Sequence, residues 1–439
     1  MQAHGFDDVG STTTNVADGF TMVAVGDLIV RRPASKNPAL GFEAVIQILR
    51  DADVTFGNLE TNIIDLRAFK GSPQVNDDSY IGGVPEVGPD LKAMGFNVLS
   101  RANNHAYDWG IEGTRETSRV LDQNKIVHAG VGESLAQAGA ARFLETSRGR
   151  VALVSFASTF TPAARAADSA GEAPSRPGLC ALRLVETIVV PPEMFESVRR
   201  IRNSLPDSML SLDDQNRIRL AGATFKIGDK VAYSYEVDSR DVANILRNVR
   251  QGKQLADFLI VTNHGHEPGN WSQELPDHEQ SFAHMLIDTG ADAYIGHGPH
   301  QLRGIEIYKG RPIFYSLGNF IWDTLQTAQG ADFFAEHGKD PRVDTTADLM
   351  VAAMKDGFID PFFFQSVVTV SRFEQNQLAE LLLYPVELGY SKRLANRGLP
   401  RIAPPPQAEA ILEHLQRLSK PFGTQITIKE GVGVIQLRP

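Results

Sequence analysis

Five times along this chain, a short apolar run of the kind that builds a buried β-strand breaks directly into a cluster of polar side chains. The runs are Val23-Ala-Val-Gly-Asp27, Val54-Thr-Phe-Gly-Asn58-Leu-Glu60 and Val98-Leu-Ser-Arg101-Ala-Asn103-Asn104-His105-Ala-Tyr-Asp108. Two more follow late in the chain, Leu259-Ile-Val-Thr-Asn-His264-Gly-His266-Glu267 and Ala293-Tyr-Ile-Gly-His297-Gly-Pro-His300. In open α/β sheets the carboxyl ends of the strands line the ligand crevice, so five such tips at one sheet edge converge there. They supply carboxylates (Asp27, Glu60), an amide (Asn104) and imidazoles. Oxygen and nitrogen donors without thiolates suit Zn, Mn or Fe(II), and a mixed set of this size suits two ions.

Each donor also has an ordinary structural role open to it. Asp27 could cap a helix, and Glu60 could cap one or pair with an arginine. Asn103 and Asn104 are common turn residues. His264 and His266 could be hydrogen-bonded structural histidines, and Gly296-His-Gly-Pro-His300 could be a plain tight turn. The joint pattern favours ligation, because five of the eleven histidines lie in these clusters. All three tryptophans, Trp109, Trp271 and Trp322, lie in or just behind them and are expected to pack under the site.

The rest of the chain alternates strand and helix, which predicts an α/β fold. Helices are expected over 41–51, 89–94, 111–123, 276–289 and 407–418, the second and fourth closed by Gly95 and Gly290. Further apolar strands are expected at 97–100, 151–156 and 258–262. A hairpin is expected at 304–317, turning at Lys309-Gly310-Arg311-Pro312, so the sheet should be mixed. Residues 1–19 are polar and read as a mobile arm. The main domain is expected over 20–439. Residues 160–250 break the pattern and read as an insertion able to cover a cleft. Residues 364–439 read as a C-terminal β/helix extension.

With 43 basic against 53 acidic residues the net charge is −10, which disfavours nucleic acid as a partner. The single cysteine, Cys180, excludes an intrachain disulfide and a Cys-rich zinc site. No apolar run is long enough for a transmembrane segment, and no signal peptide is visible at Met1. Cytoplasm is therefore the default compartment, with envelope association as the alternative.

Taken together, Val25-Gly-Asp27, Gly57-Asn-Leu-Glu60, Ala102-Asn-Asn-His105-Ala-Tyr-Asp108-Trp-Gly110, His264 and Ile295-Gly-His-Gly-Pro-His300 resemble the CapA family (poly-γ-glutamate capsule biosynthesis type). That family lies in the calcineurin-like metallophosphoesterase superfamily. Tyr315-Ser-Leu-Gly-Asn-Phe320 and Arg397-Gly-Leu-Pro-Arg-Ile402 look like family features too. The resemblance covers about 20–155 and 255–420. It implies a metallophosphatase-like four-layer sandwich of mixed β-sheets flanked by helices, with a dinuclear metal centre. By resemblance, Asp27 and His300 are first-metal ligands, and Asn104, His264 and His297 are second-metal ligands. Glu60 would lie near or between the ions. His105 would meet the substrate, and Asp108 would orient its ring.

The chain departs from the superfamily pattern in four places. Ile29 stands where the first motif has a histidine. The second motif reads Gly-Asn-Leu-Glu, which leaves open whether Asn58 or Glu60 bridges. The fourth motif continues Gly265-His266 instead of Trp-Gly, so His266 could fill the gap left by Ile29. Gly298 replaces a second histidine, which is expected to widen the site. The expected activity is metal-assisted hydrolysis of an amide or γ-glutamyl bond, or of a phosphoester, in a small-molecule or peptide-like polymer. Arg101 and Arg303 are the nearest basic candidates for substrate binding, with surface salt bridges as their alternative. A non-catalytic accessory or polymer-binding role is the competing reading.

Overall fold

Two mixed β-sheets face each other across the largest apolar core, and the strand tips named above lie at one common edge. The computed structural model describes residues 14–36, 42–74, 80–206, 216–270, 272–323, 329–356 and 360–437. The first sheet has ten strands. Its parallel half runs from Phe20–Ile29 through Val54–Leu59 and Val98–Ser100 to Val127–Ala129. On the other side of Phe20–Ile29 the antiparallel strands Gln365–Glu374 and Gln377–Glu387 continue the sheet. Asn319–Trp322 pairs with the end of Phe20–Ile29. The second sheet has six strands, with Gly149–Ala157, Phe258–His264, Ala293–His297 and Arg311–Phe314 parallel at its centre.

The strands alternate their side chains between two apolar layers, as the period of two requires. Phe20, Met22, Phe56 and Val98 of the first sheet meet Leu153, Phe258, Ile260 and Ile295 of the second. Val23, Val25 and Leu99 point the other way, under helices Glu43–Arg50, Val87–Met94 and Gly110–Gln123. Val154, Leu259 and Val261 do the same under Ser239–Gln254 and Glu279–Thr289. Fully burying each such side chain stabilises the fold by roughly 1.5–3 kcal/mol before entropy is set against it.

Most expected elements appear within a residue or two of their reading. Gly95 closes its helix in the left-handed region at φ 111°, as a C-terminal glycine should. The hairpin forms from Ile305–Tyr308 and Arg311–Phe314. Of the arm expected over 1–19, residues 1–13 lie outside the described residues. Val16 is buried in the main core, and Ala17 N–H donates to Arg148 O at 2.8 Å.

The region expected as an insertion contains a separate four-stranded sheet, Leu184–Val190, Arg217–Leu220, Ala223–Ile227 and Ala232–Val237. Helix Pro192–Ser204 packs on it through Phe195, against Val190 and Ile218. Its two ends meet, with Asp238 N–H donating to Arg183 O at 2.9 Å. The next helix, Ser239–Gln254, already belongs to the layer covering the second sheet. The C-terminal residues are likewise part of the main architecture. Strands 365–387 lie inside the first sheet, and helix Pro405–Ser419 closes the main core with Ile411, Leu412 and Leu415. Among the described residues no helix is long and apolar enough to cross a membrane.

Candidate metal centre and active site

The register of the sheets assembles the site. Asp27 stands opposite Asn58, Asn58 opposite Ser100, and His264 opposite His297. The first strand reaches its tip through a close backbone approach. Asp27 N–H donates to Gly318 O at 2.9 Å, and a Cβ on Gly26 would lie only 1.9 Å from that oxygen. Glycine is therefore required before the aspartate.

Ligand atoms of Asp27, Glu60 and His264 all lie within 4.8 Å of one another, and all three residues are buried. His297 Nδ1 stands 3.1 Å from Asp27 Oδ1, and His300 Nδ1 stands 3.6 Å from Asp27 Oδ2. His264 Nδ1 is 3.4 Å from Glu60 Oε1. His266 joins them, its Nε2 being 3.1 Å from His264 Nε2 and its ring centroid 5.6 Å from that of His300. Two atoms each about 2.1 Å from one ion and at adjacent positions sit about 3.0–3.4 Å apart, so these separations match neighbouring ligands. At the centre the Asn58 amide donates to Asp27 Oδ1 (2.9 Å) and Glu60 Oε1 (3.2 Å), and lies 3.0 Å from His264 Nδ1.

The cluster contains more donors than the protein uses. Among the described residues Glu60 Oε2, Asn104 Oδ1 and His297 Nε2 are buried without a hydrogen-bond partner, while His297 Nδ1 faces only Asp27. Buried polar atoms are normally paired. Unpaired oxygen and nitrogen atoms in and beside one cluster of carboxylates and imidazoles are what a cation site requires. Asn104 follows Asn103, which donates to Asn58 Oδ1 (3.2 Å) and to Leu59 O (2.8 Å).

Protonation follows the same logic. Burial resists ionisation of Asp27, but the surrounding imidazoles of His297, His264 and His300 outweigh it and hold its pKa far below the usual carboxylate range. Burial, and then the nearby Asp27 charge, push Glu60 well above that range. Burial lowers His264 to about 3 and takes His266 well below its ordinary value. The His264 and His266 imidazoles, held below their ordinary values, and the ionised Asp27 are ready to ligate, and a cation would displace the proton that Glu60 retains.

His105 lies beside the cluster and is buried. Its Nδ1 is 2.8 Å from Asp108 Oδ2, and that oxygen also accepts from Ile81 N–H at 2.8 Å. Asn62 holds the His105 carbonyl at 2.6 Å.

The two arginines are placed differently from their expected role. Arg303 is buried; its guanidinium donates to Glu267 O (2.7 Å) and Ser272 O (3.2 Å) and pairs with Glu279 at 3.5 Å. It clamps the loop behind His266 and does not present its charge to the cleft. Arg101 is also buried, with all three guanidinium nitrogens unpaired. Burial lowers its pKa to about 9, and the charge acting on it is Asp122 of helix Gly110–Gln123, not a member of the cluster.

Two departures in the motifs are resolved by packing. A Cβ on Gly298 (φ 115°) would lie 2.5 Å from Gly265 O and 2.8 Å from the His266 ring. The space left by the missing side chain is thus filled by Gly265-His266, and the site is not widened there. Ile29 is buried in its strand. Trp109 is buried, whereas Trp322 stacks parallel to His300 with 6.3 Å between ring centroids. Trp271 lies outside the described residues.

Sequence reasoning missed the supports of the site. Asn319 Oδ1 lies 2.9 Å from His300 Nδ1, and its amide binds His300 O and Phe363 O. The Tyr315-Ser-Leu-Gly-Asn-Phe320 string was the available signal. Ser158 and Thr159 hydroxyls each donate to Glu267 at 2.9 Å and fix the strand tip carrying His264 and His266. His300 itself adopts φ 56°, a left-handed conformation that costs energy for a non-glycine residue and is often found at functional sites.

Known proteins similar to this chain include capsule-synthesis relatives. An uncharacterized protein of Sinorhizobium fredii is 60% identical over 443 residues, covering 98% of this chain and 96% of that protein. The capsule biosynthesis protein CapA of Bacillus anthracis is 24% identical over 312 residues, 69% of this chain and 60% of its own length. A probable polyglutamine synthesis accessory protein of Mycobacterium tuberculosis is 28% identical over 271 residues, 62% of this chain and 56% of its own. Among solved structures, the Haemophilus influenzae NAD nucleotidase has a TM-score of 0.34 at 10% identity, over 92% of this chain and 56% of that one, too low to argue from. The model of the family described as bacterial capsule synthesis protein PGA_cap matches residues 21–324. The chain therefore belongs to that capsule-synthesis family, which is of calcineurin-like metallophosphoesterase type.

Proposed function

We propose that this protein is a metal-dependent hydrolase acting on an amide bond of γ-glutamyl type, or on a phosphoester, within capsule-type polymer metabolism. The observation that carries the reading is the set of buried donor atoms without partners on Glu60, Asn104 and His297. Asp27, Glu60 with Asn58, Asn104, His264, His266, His297 and His300 would hold two divalent cations, Mn, Zn or Fe. His266 takes the place that Ile29 leaves vacant in the first motif. When bound, such ions lower the pKa of water and polarise the scissile bond. We read the two facing sheets and their outer helices as a metallophosphatase-like four-layer sandwich.

The residues of the chain supply orientation and proton transfer. Asp108 takes the Nδ1–H of His105, which assigns proton exchange with the leaving group to Nε2. Asn62 and Ile81 keep that pair in place. Asn319 sets the ring of His300, and Asn103 sets the Asn58 amide. Such neighbours fix ligand orientation and tautomer.

The test is elemental analysis of the purified protein beside assays with phosphoesters, peptides and γ-glutamyl amides in Mn or Zn. Turnover abolished by a chelator and by His105→Ala supports the enzyme. Full metal occupancy with no turnover on any of them favours the second reading, a binding or accessory factor. The name of the mycobacterial relative, an accessory protein, speaks for that alternative.

A further inference from the structure

Among the described residues the largest fully buried side chains are three arginines, Arg31, Arg101 and Arg303. Arg303 is spent on loop carbonyls and Glu279, and Arg101 lies under helix Gly110–Gln123. Arg31 stands beside the groups assigned to proton transfer. It is 1% exposed, as deep as Glu60 and His264.

The run that carries Asp27 brings it there. Glu60 N–H donates to Leu28 O at 3.1 Å and Val30 N–H to Thr61 Oγ1 at 2.9 Å, which extends the contact of the first two strands toward residue 31. Val84 N–H then donates to Arg31 O at 3.0 Å. These contacts flank a short two-stranded ribbon, Asn62–Ile63 with Gly82–Gly83. A Cβ on Gly83 would lie 2.7 Å from Val30 O and 3.3 Å from the Arg31 Cα, so the close approach needs glycine. The same ribbon holds the proton-transfer pair, since Asn62 binds His105 O (2.6 Å) and Ile81 N–H binds Asp108 (2.8 Å). Arg31 and the His105–Asp108 pair therefore share one support.

The guanidinium has donors to spare. Nε donates to Asp323 O at 3.1 Å, and among the described residues this is its one hydrogen bond. The Asp323 carboxylate turns instead to Arg32 Nε, at 3.1 Å. Among the described residues no carboxylate lies within ion-pair distance of Arg31. Burial lowers its pKa to about 10, with Asp323 and Asp108 opposing, so it is charged at neutral pH. A buried cation is costly unless an anion joins it. The two terminal nitrogens, side by side in one plane, match the two oxygens of a carboxylate. Asp108 is among the charges acting on Arg31, so such an anion would lie on the His105 side of the donor cluster, where the leaving group takes its proton.

We propose that Arg31 is a specificity residue of this site and receives a carboxylate carried by the leaving group. The term leaving group rests on the hydrolase reading; the contact with a carboxylate does not. Hydrolysis breaks the bond to the departing nitrogen or oxygen, joins the oxygen of water to carbon or phosphorus, and passes a proton to the departing atom. An amide substrate would release an amine that bears a carboxylate, and a phosphoester an alcohol that bears one. A leaving group without the anion would keep the arginine buried and unpaired, and is selected against.

The test compares wild type with Arg31→Met and Arg31→Lys, using ligand pairs that differ in the leaving group alone. One pair is a γ-glutamyl dipeptide and its C-terminal amide; the other is carboxyphenyl phosphate and carbamoylphenyl phosphate. Calorimetry reads binding to the metal-free protein, and kcat/KM is measured with Mn or Zn. Thermal melts and elemental analysis accompany each variant. Wild type should favour the carboxylate member of the pair it accepts, and Arg31→Met should cut that preference about tenfold or more. Arg31→Lys keeps the charge without the planar fork and should fall between them. No preference in wild type, or the same preference in every variant that folds, overturns the proposal. If the preference depends on Arg31 but no bond is cleaved under either metal, the hydrolase reading fails alone. If substrates turn over and the variants discriminate as wild type does, this inference fails alone.

Discussion

At His105 two functions can be separated by substitution, because the ring touches Asp108 and Asn62 holds its carbonyl, while no ligand of the cluster is needed to place it. His105→Ala should lower turnover by about 10²–10⁴-fold, the usual worth of a positioned acid, with metal content retained. His297→Ala should do the opposite and reduce bound metal, because it deletes a donor facing Asp27. If both variants alter thermal stability alone, the assigned roles are wrong. Arg101 makes a prediction of a different kind. A buried cation without partners opposes folding, so Arg101→Met should raise unfolding free energy by about 1–4 kcal/mol. Urea denaturation measures this; a loss of stability would mean that the guanidinium has a counter-ion in solution.

Elements determine which of these roles could be read in advance. The strand tips were legible because a polar cluster cannot continue an apolar strand, so each cluster had to sit at an end. Side-chain direction was harder. Strand alternation places Arg101 on the face of Leu99, under helix Gly110–Gln123, but the turn at Asn103 and Asn104 invited a reading toward the cleft. Arg303 was misjudged for a similar reason, since its partners are backbone carbonyls at 267 and 272, which carry no sequence signal. Asn319 lies in the Tyr315–Phe320 string, but its role as a support emerges only when His300 is placed against it.

Two predictions belong at this scale. Gly26→Ala should displace the first strand tip from Gly318, lowering metal content and stability together, as elemental analysis and thermal melts would detect. His128 lies under the same helix as Arg101. Burial, then the Arg101 charge, lower its pKa to about 4, against an ordinary 6.5. The folded state thus takes up its proton later than the unfolded chain on acidification. Stability on the order of 3 kcal/mol should be present above about pH 6.5 and be lost as pH falls toward 4. His128→Gln should flatten that part of the stability-versus-pH curve.

For the molecule as a whole, the small sheet over 184–237 is the removable part. Its ends are joined by the Asp238–Arg183 backbone bond, so a short Gly/Ser linker can replace it. Its contacts with the site are indirect, through Ser234 and Tyr235 to Asp277. The deletion should keep fold and metal content and alter which substrates are accepted; loss of metal would make the unit part of the centre.

The position of the 365–387 hairpin carries a consequence for biosynthesis. Phe20–Ile29, which bears the first donor, is flanked on one side by Gln365–Glu374, a strand made more than three hundred residues later. While the chain leaves the ribosome, that strand has partners on one side only, and its other edge waits exposed until residues 365–374 have emerged. A chain stopped at residue 324 should therefore be captured by chaperones or degraded, although it spans the whole family match.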